Sequence, residues 1–191
     1  MKNYYYTVLT TLCLLLTACS NDGQFEKDKT YTIKQGAHKS EPIYLPTKTG
    51  KRWINFTANF DATCLYSLEG MGEDALDINK LYGLSICGSD PTQNSTRFGW
   101  RHNGNGAIEV FAFWHINGHF DYYKIGETLP GIVDSYQLGI LSTSYEYYFN
   151  DTHLTVPKSL SCSSSNYRSF PWFGGNLAAP NTMYIYIYET P

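Results

Sequence analysis

The chain has 191 residues, enough for one domain with a sizeable core, and a formal charge of −3 that supplies no basic field for nucleic acid. Charged residues make up 16 %, below the usual quarter, while aromatic residues reach 16 % with 17 tyrosines. Strand-favouring residues abound and long runs of Ala, Leu, Glu and Lys are missing, so the composition points to an all-β domain.

The amino terminus reads as an address. Lys2 precedes the stretch TVLTTLCLLLTA, which is shorter than the roughly 20 apolar residues a membrane span needs and fits a signal-peptide core. It ends in LTAC, Leu16 to Cys19, which is similar to the bacterial lipobox, where a small residue precedes a lipidated Cys. Residues 1–18 are thus expected to be a lipoprotein signal peptide and residues 19–29 a lipidated polar tether. Each buried CH₂ of an acyl chain contributes about 0.8 kcal/mol, so several chains on Cys19 would hold the protein at a membrane. The expected location is the bacterial envelope, at the outer membrane.

Three cysteines remain in the expected domain, Cys64, Cys87 and Cys162. An odd number in an oxidising compartment suggests one pair and a buried thiol, or no bridge. Cys64 with Cys87 is the favoured pair, although sequence does not fix the geometry.

From Thr30 to residue 191 the chain reads as strands. TYTIKQG opens the domain. RWINFTANF alternates, with Ile54, Phe56, Ala58 and Phe60 on one face and Trp53, Asn55, Thr57 and Asn59 on the other. GEDALDINKLYG (72–83) is the one helical patch, with Leu76, Asn79 and Lys80 at helical spacing and Gly83 as a stop. RFGWRHN, AIEVFAFWHI and HFDYYKIG form a meander turned by NGNG and by Asn117-Gly118. AIEVFAFWHI is apolar on both faces, which predicts a central strand packed on each side. YQLGILS, SYEYYFN, THLTVP and TMYIYIYE complete about nine strands. The expected fold is all-β, a two-sheet β-sandwich of jelly-roll type with one short helix.

DINKLYG (77–83), STRFGWR (95–101) and FPWFGGNLAAPNTMYIYI (170–187), taken with the lipobox, resemble an uncharacterised family of predicted Bacteroidetes-type lipoproteins. The resemblance covers most of the domain and implies an envelope address and a sandwich, but no known reaction. This chain departs from the family pattern at Trp172, where relatives have Tyr, and at Asn181-Thr182, where they have His-Asp.

The candidate ligand-binding residues are Trp53, Asn55, Tyr184, Tyr186 and Tyr188, two outward rows that would form a plate of rings and amides suited to sugars, with Arg97 and Arg101. The two arginines project from one face with period two and could fork a carboxylate, while Glu109 across the hairpin offers a competing partner. Jelly-roll lyases of alginate-like polymers resemble this in outline, and an alternative reading is a lyase of acidic polysaccharide using His115, Arg101 and Tyr186. The Arg-x-Glu-Leu-Arg and Gln-Ile-His stretches of those enzymes do not occur, and HFDYYKIG is only a faint echo of their tyrosine strand. Glu109 and Glu146 are the strand-embedded glutamates before Glu189, and nothing in the sequence pairs them for glycoside hydrolysis. Glu73, Asp74 and Asp77 suit the first turn of a helix better than calcium. FPWFGGNLAAPN reads as a plug closing one end of the sandwich, with Trp172 or Phe173 as stopper. No metal or cofactor is expected. The function expected is non-catalytic binding of glycan or another surface ligand by a lipid-anchored protein. A structural subunit of an envelope complex, with the aromatic rows as protein interface, is the further alternative.

Overall fold

Parity along two strands organises the molecule. In β4 (Trp53–Phe60) the residues Ile54, Phe56, Ala58 and Phe60 are buried, and in β13 (Met183–Thr190) Met183, Ile185 and Ile187 are buried, while the alternate positions point outward. The two strands pair antiparallel, with Tyr186 opposite Asn59 and Tyr188 opposite Thr57.

The computed structural model describes residues 30–42, 48–160 and 165–190. Besides β4 and β13, its strands are β1 (Thr30–Ile33), β2 (Ser40–Glu41), β3 (Lys48–Thr49), β5 (Asn79–Ser85), β6 (Ser95–His102), β7 (Ile108–Ile116), β8 (His119–Thr128), β9 (Asp134–Ile140), β10 (Ser144–Phe149), β11 (Thr152–Pro157) and β12 (Asn166–Ser169). They form an antiparallel seven-stranded sheet, β11-β10-β9-β4-β13-β1-β2, and an antiparallel six-stranded sheet, β3-β12-β5-β6-β7-β8. The two-sheet sandwich is the architecture expected. The expected signal segment, Cys19 and the tether lie outside the described residues. Among the described residues no helix is long and apolar enough to cross a membrane.

The core is aromatic. Phe56 stacks on Tyr136 at 4.9 Å between centroids and meets Tyr82 and Phe98 edge-on at 5.1 and 5.8 Å. Such pairs contribute about 0.5–1.5 kcal/mol each beyond burial. Many of the tyrosines serve this layer. Tyr147, fully buried, shares a 2.6 Å hydrogen bond with Thr96 Oγ1, and its hydroxyl lies 3.1 Å from the Phe113 carbonyl oxygen, so β10 is tied to β6 and β7 across the sandwich.

Two expectations are corrected. Residues 72–83 do not form a helix: Gly72–Leu76 makes a short 3₁₀ turn, and Asn79–Ser85 is β5, paired with β6. A patch this short cannot offset helix nucleation, whereas pairing in the sheet buries Leu81, Tyr82 and Leu84. Cys64 is a free thiol, fully buried with its pKa raised by desolvation, so it is not the partner of Cys87, which is disulfide-bonded. Cys162 lies outside the described residues.

β7 is packed on both faces, as expected, although it sits next to the edge strand β8. Ile108, Val110 and Ala112 join the main core, while Phe111 and Phe113 make a separate buried cluster with Ile78 on the outer face. Gly99 permits that cluster, because a Cβ there would lie 2.4 Å from Ile78 Cγ2.

Candidate functional site

The outer face of the six-stranded sheet carries a groove of about 1240 Å³. Strand register lays out its floor. One row across the sheet runs Tyr167, Ser85, Ser95, His115, Phe120, and the next runs Ser169, Gly83, Arg97, Phe113, Tyr122. Lys80 stands opposite Gly99 in the row after that.

Loops supply the walls. In FPWFGGN the alternation splits the two candidate stoppers: Phe173 is 1 % exposed and packs edge-on against Tyr66 and Trp100, whereas Trp172 is 36 % exposed and lines the groove. Phe173 is therefore the plug. Trp172 stacks on His38 at 5.5 Å, and its backbone bridges Lys39 and Lys80. The acids of the 3₁₀ turn hold this wall, with Asp77 Oδ2 accepting from Gly175 N at 3.1 Å and Asp74 Oδ1 from Asn176 Nδ2 at 3.1 Å. Among the described residues no cluster of His, Cys, Asp and Glu could hold a metal ion.

The floor holds two cations that, among the described residues, no carboxylate contacts directly. Arg97 is 7 % exposed, and its Nη2 donates to His115 Nδ1 at 3.2 Å and to the Pro91 carbonyl at 3.4 Å. Its Nε is buried with no hydrogen-bond partner. Lys80 Nζ donates to the Ile78 carbonyl at 2.7 Å. Both cations lie over the ring of Phe113, at 4.6 Å for Lys80 and 5.4 Å for Arg97, a contact worth about 0.5–2 kcal/mol each. Among the described residues neither forms a salt bridge. Desolvation lowers the Arg97 pKa to about 10, and desolvation together with the Arg97 charge lowers Lys80 to about 8. Both stay cationic at neutral pH. Gly83 gives Arg97 its seat, since a Cβ there would fall 2.6 Å from Arg97 Cα and 2.9 Å from its Cγ.

His115 is set by these neighbours. Desolvation and then the charges of Arg97 and Lys80 push its pKa down to about 4, so the ring is neutral at pH 7. A guanidinium only donates, so Nδ1 must accept and Nε2 must carry the proton. The imidazole offers a donor, not a free lone pair.

Arg101, the twin of Arg97 in the sequence, is differently placed. Its Nε and Nη2 bind Glu109 Oε2 at 2.9 and 2.6 Å, its Nη1 donates to the Leu76 carbonyl, and Lys124 completes the network on Glu109. The cross-hairpin partner weighed in the sequence has taken it, and Arg101 does not line the groove.

Trp53, Asn55, Tyr184, Tyr186 and Tyr188 do share one face, but it is the outer face of the other sheet, and none lines the groove. Tyr184 and Tyr188 are each 38 % exposed, so the row is not sealed. Asn55 Oδ1 accepts from Gln137 at 2.7 Å, and the Trp53 indole occupies the space a Cβ at Gly139 would take. Because Tyr186 belongs to that sheet, the trio His115, Arg101 and Tyr186 is not assembled. Nor are the glutamates. Glu109 is on the six-stranded sheet, Glu146 on the seven-stranded sheet among Ser144, Thr155 and His153, and Glu189 binds Arg168 and Tyr82.

Sequence reasoning found Arg97 and His115 but missed Lys80, Phe113, Tyr122 and Tyr167 as groove residues. The alternation of Phe111, Phe113 and His115 opposite the core parity of β7 was the available signal. Lys80 was hidden by the helical reading of its segment.

No protein-family model and no curated protein matches the chain. Among solved structures it is similar to a glycoside hydrolase family 16 protein of the mixed-linkage glucan locus of Bacteroides ovatus in complex with a G4G4G3G product, at 8 % identity, TM-score 0.51, over 84 % of this chain and 80 % of that one. A family 16 endo-glucanase from the same organism is similar at 10 % identity with the same TM-score and coverage. The alginate lyase from Klebsiella pneumoniae is similar at 10 % identity and TM-score 0.49, over 72 % of this chain, which spans 59 % of that enzyme's length. The fold is thus a jelly-roll sandwich of the kind found in carbohydrate-active proteins.

Proposed function

We propose that the chain is a bacterial envelope lipoprotein, anchored through lipid on Cys19 at the outer membrane, whose domain binds a glycan along the groove without cleaving it. The groove carries this reading. Its volume of about 1240 Å³ exceeds the roughly 300–1,000 Å³ usual for small-molecule pockets, which suits an extended ligand. Exposed rings of Phe120, Tyr122 and Trp172 offer faces for sugar C–H surfaces, and Ser85, Ser169, Tyr167 and Asn176 offer hydrogen-bonding groups. The jelly-roll fold shared with the family 16 proteins supports a carbohydrate ligand at the level of fold.

Binding is favoured over catalysis by the state of His115. Its Nδ1 lone pair faces Arg97, and a ring of pKa about 4 is a weak base at neutral pH. Calorimetry on the full chain in detergent, against plant, host and bacterial polysaccharides, tests the reading. Micromolar binding that weakens in Tyr122→Ala and Trp172→Ala is expected. Absence of binding across the panel sinks it, and unsaturated product absorbance would replace binding with lyase chemistry.

A further inference from the structure

Resting on the groove as a glycan site, we infer that its ligand is an acidic glycan whose anionic group seats on Arg97, Lys80 and the Nε2–H of His115. The argument is one of unmatched charge. Two cations share the face of a single ring, Phe113, and among the described residues neither has a carboxylate partner. Elsewhere the chain pairs its buried-side arginines: Arg101 with Glu109, and Arg168 with Glu189. Glu109 even gathers two cations, Arg101 and Lys124.

Burying an unpaired cation is unfavourable unless something compensates it. Arg97 receives only a carbonyl and a neutral ring nitrogen, and its Nε receives nothing. Asp77 and Asp90 act on Lys80 and Arg97 through space and without direct contact, Asp77 accepting from Gly175 N and Asp90 from Thr92 N and Oγ1. An anion entering the groove would supply the missing counter-charge. A guanidinium matches the planar carboxylate of a uronic acid in two contacts, and a sulfate ester presents the same kind of acceptor. A neutral glucan gives neither cation a carboxylate or sulfate in direct contact.

The test uses the full chain in detergent and calorimetry with four probes: polymannuronate oligomers, the same oligomers with their carboxyls reduced to alcohols, a sulfated galactan, and mixed-linkage glucan. Carboxyl reduction is expected to weaken binding about 100-fold, the size of breaking a desolvated charge contact. Arg97→Gln is expected to do the same to the acidic oligomer while leaving the melting temperature close to that of the parent. Arg97→Lys keeps the charge without the fork and should retain part of the affinity. Preference for the galactan over the uronate would identify sulfate as the anion. Equal affinity for acidic and reduced oligomers, or preference for the glucan, overturns the charge inference and leaves glycan binding standing. Failure of all four probes overturns both.

Discussion

Arg97 is expected to contribute little net stability to the fold it belongs to. A guanidinium held at about 10 rather than 12.5 is penalised by roughly 3 kcal/mol, at 1.36 kcal/mol for each tenfold. Against this stand two hydrogen bonds to Pro91 and His115, about 0.5–1.5 kcal/mol each, and the contact with the Phe113 ring, about 1 kcal/mol. Arg97→Met keeps a flexible chain of similar length over Phe113 and removes the charge. Summed, the exchange is expected to be close to neutral, within about 1 kcal/mol in either direction. For a domain of this size each kcal/mol moves Tm by roughly 2–4 °C. Thermal and urea denaturation of parent and variant measure it, alongside binding of the acidic oligomer, which should be lost. A stability loss above about 2 kcal/mol would falsify the view that Arg97 is kept for a ligand, because it would make the arginine a structural tie between β6 and its neighbours.

His115 should give the fold an acid-sensitive component. Its pKa lies near 4 in the folded chain against 6.5 in the unfolded one, so the unfolded state binds the extra proton and stability falls as pH drops from about 6.5 towards 4. The urea midpoint of His115→Gln should be flatter over that window, and an unchanged slope would contradict the assignment. Gly83→Ala should cost roughly 1–3 kcal/mol and weaken acidic-ligand binding together, since its Cβ falls 2.6 Å from Arg97 Cα; affinity unchanged in a destabilised variant would separate the two. Phe56→Ala removes a ring packed on Tyr136, Tyr82 and Phe98 and should destabilise by about 3–5 kcal/mol in urea unfolding, with a loss under 1 kcal/mol counting against the core described. Cys19→Ser should abolish incorporation of labelled palmitate and release the protein from membranes, and persistence of the label would remove the lipid anchor from the proposal.

Much of the sandwich can be read along the chain, because parity is local. Residues 53–60 and 183–188 sort into buried and outward rows by position alone, and the structure keeps both rows as read. Asn117-Gly118 turns the chain with both residues at positive φ, as an Asn-Gly hairpin requires. Segment 79–85 escaped because its strand identity comes from β6 and β12 on either side, with nothing in its own periodicity to compete with a helical pattern.

The site is another matter. From the sequence alone, alternation puts Arg97 and Arg101 on one face and Phe98 and Trp100 in the core, with nothing to distinguish the two arginines. Register across β7 does so: Arg101 falls opposite Glu109 and is neutralised, while Arg97 falls opposite Phe113 and beside His115. Periodicity assigns each side chain a face, but the identity of its cross-strand neighbour depends on the register the hairpin adopts, and Lys80 joins that face only through the pairing of β5 with β6. Charge pairing, and with it the groove, was therefore decided only when the sheets formed.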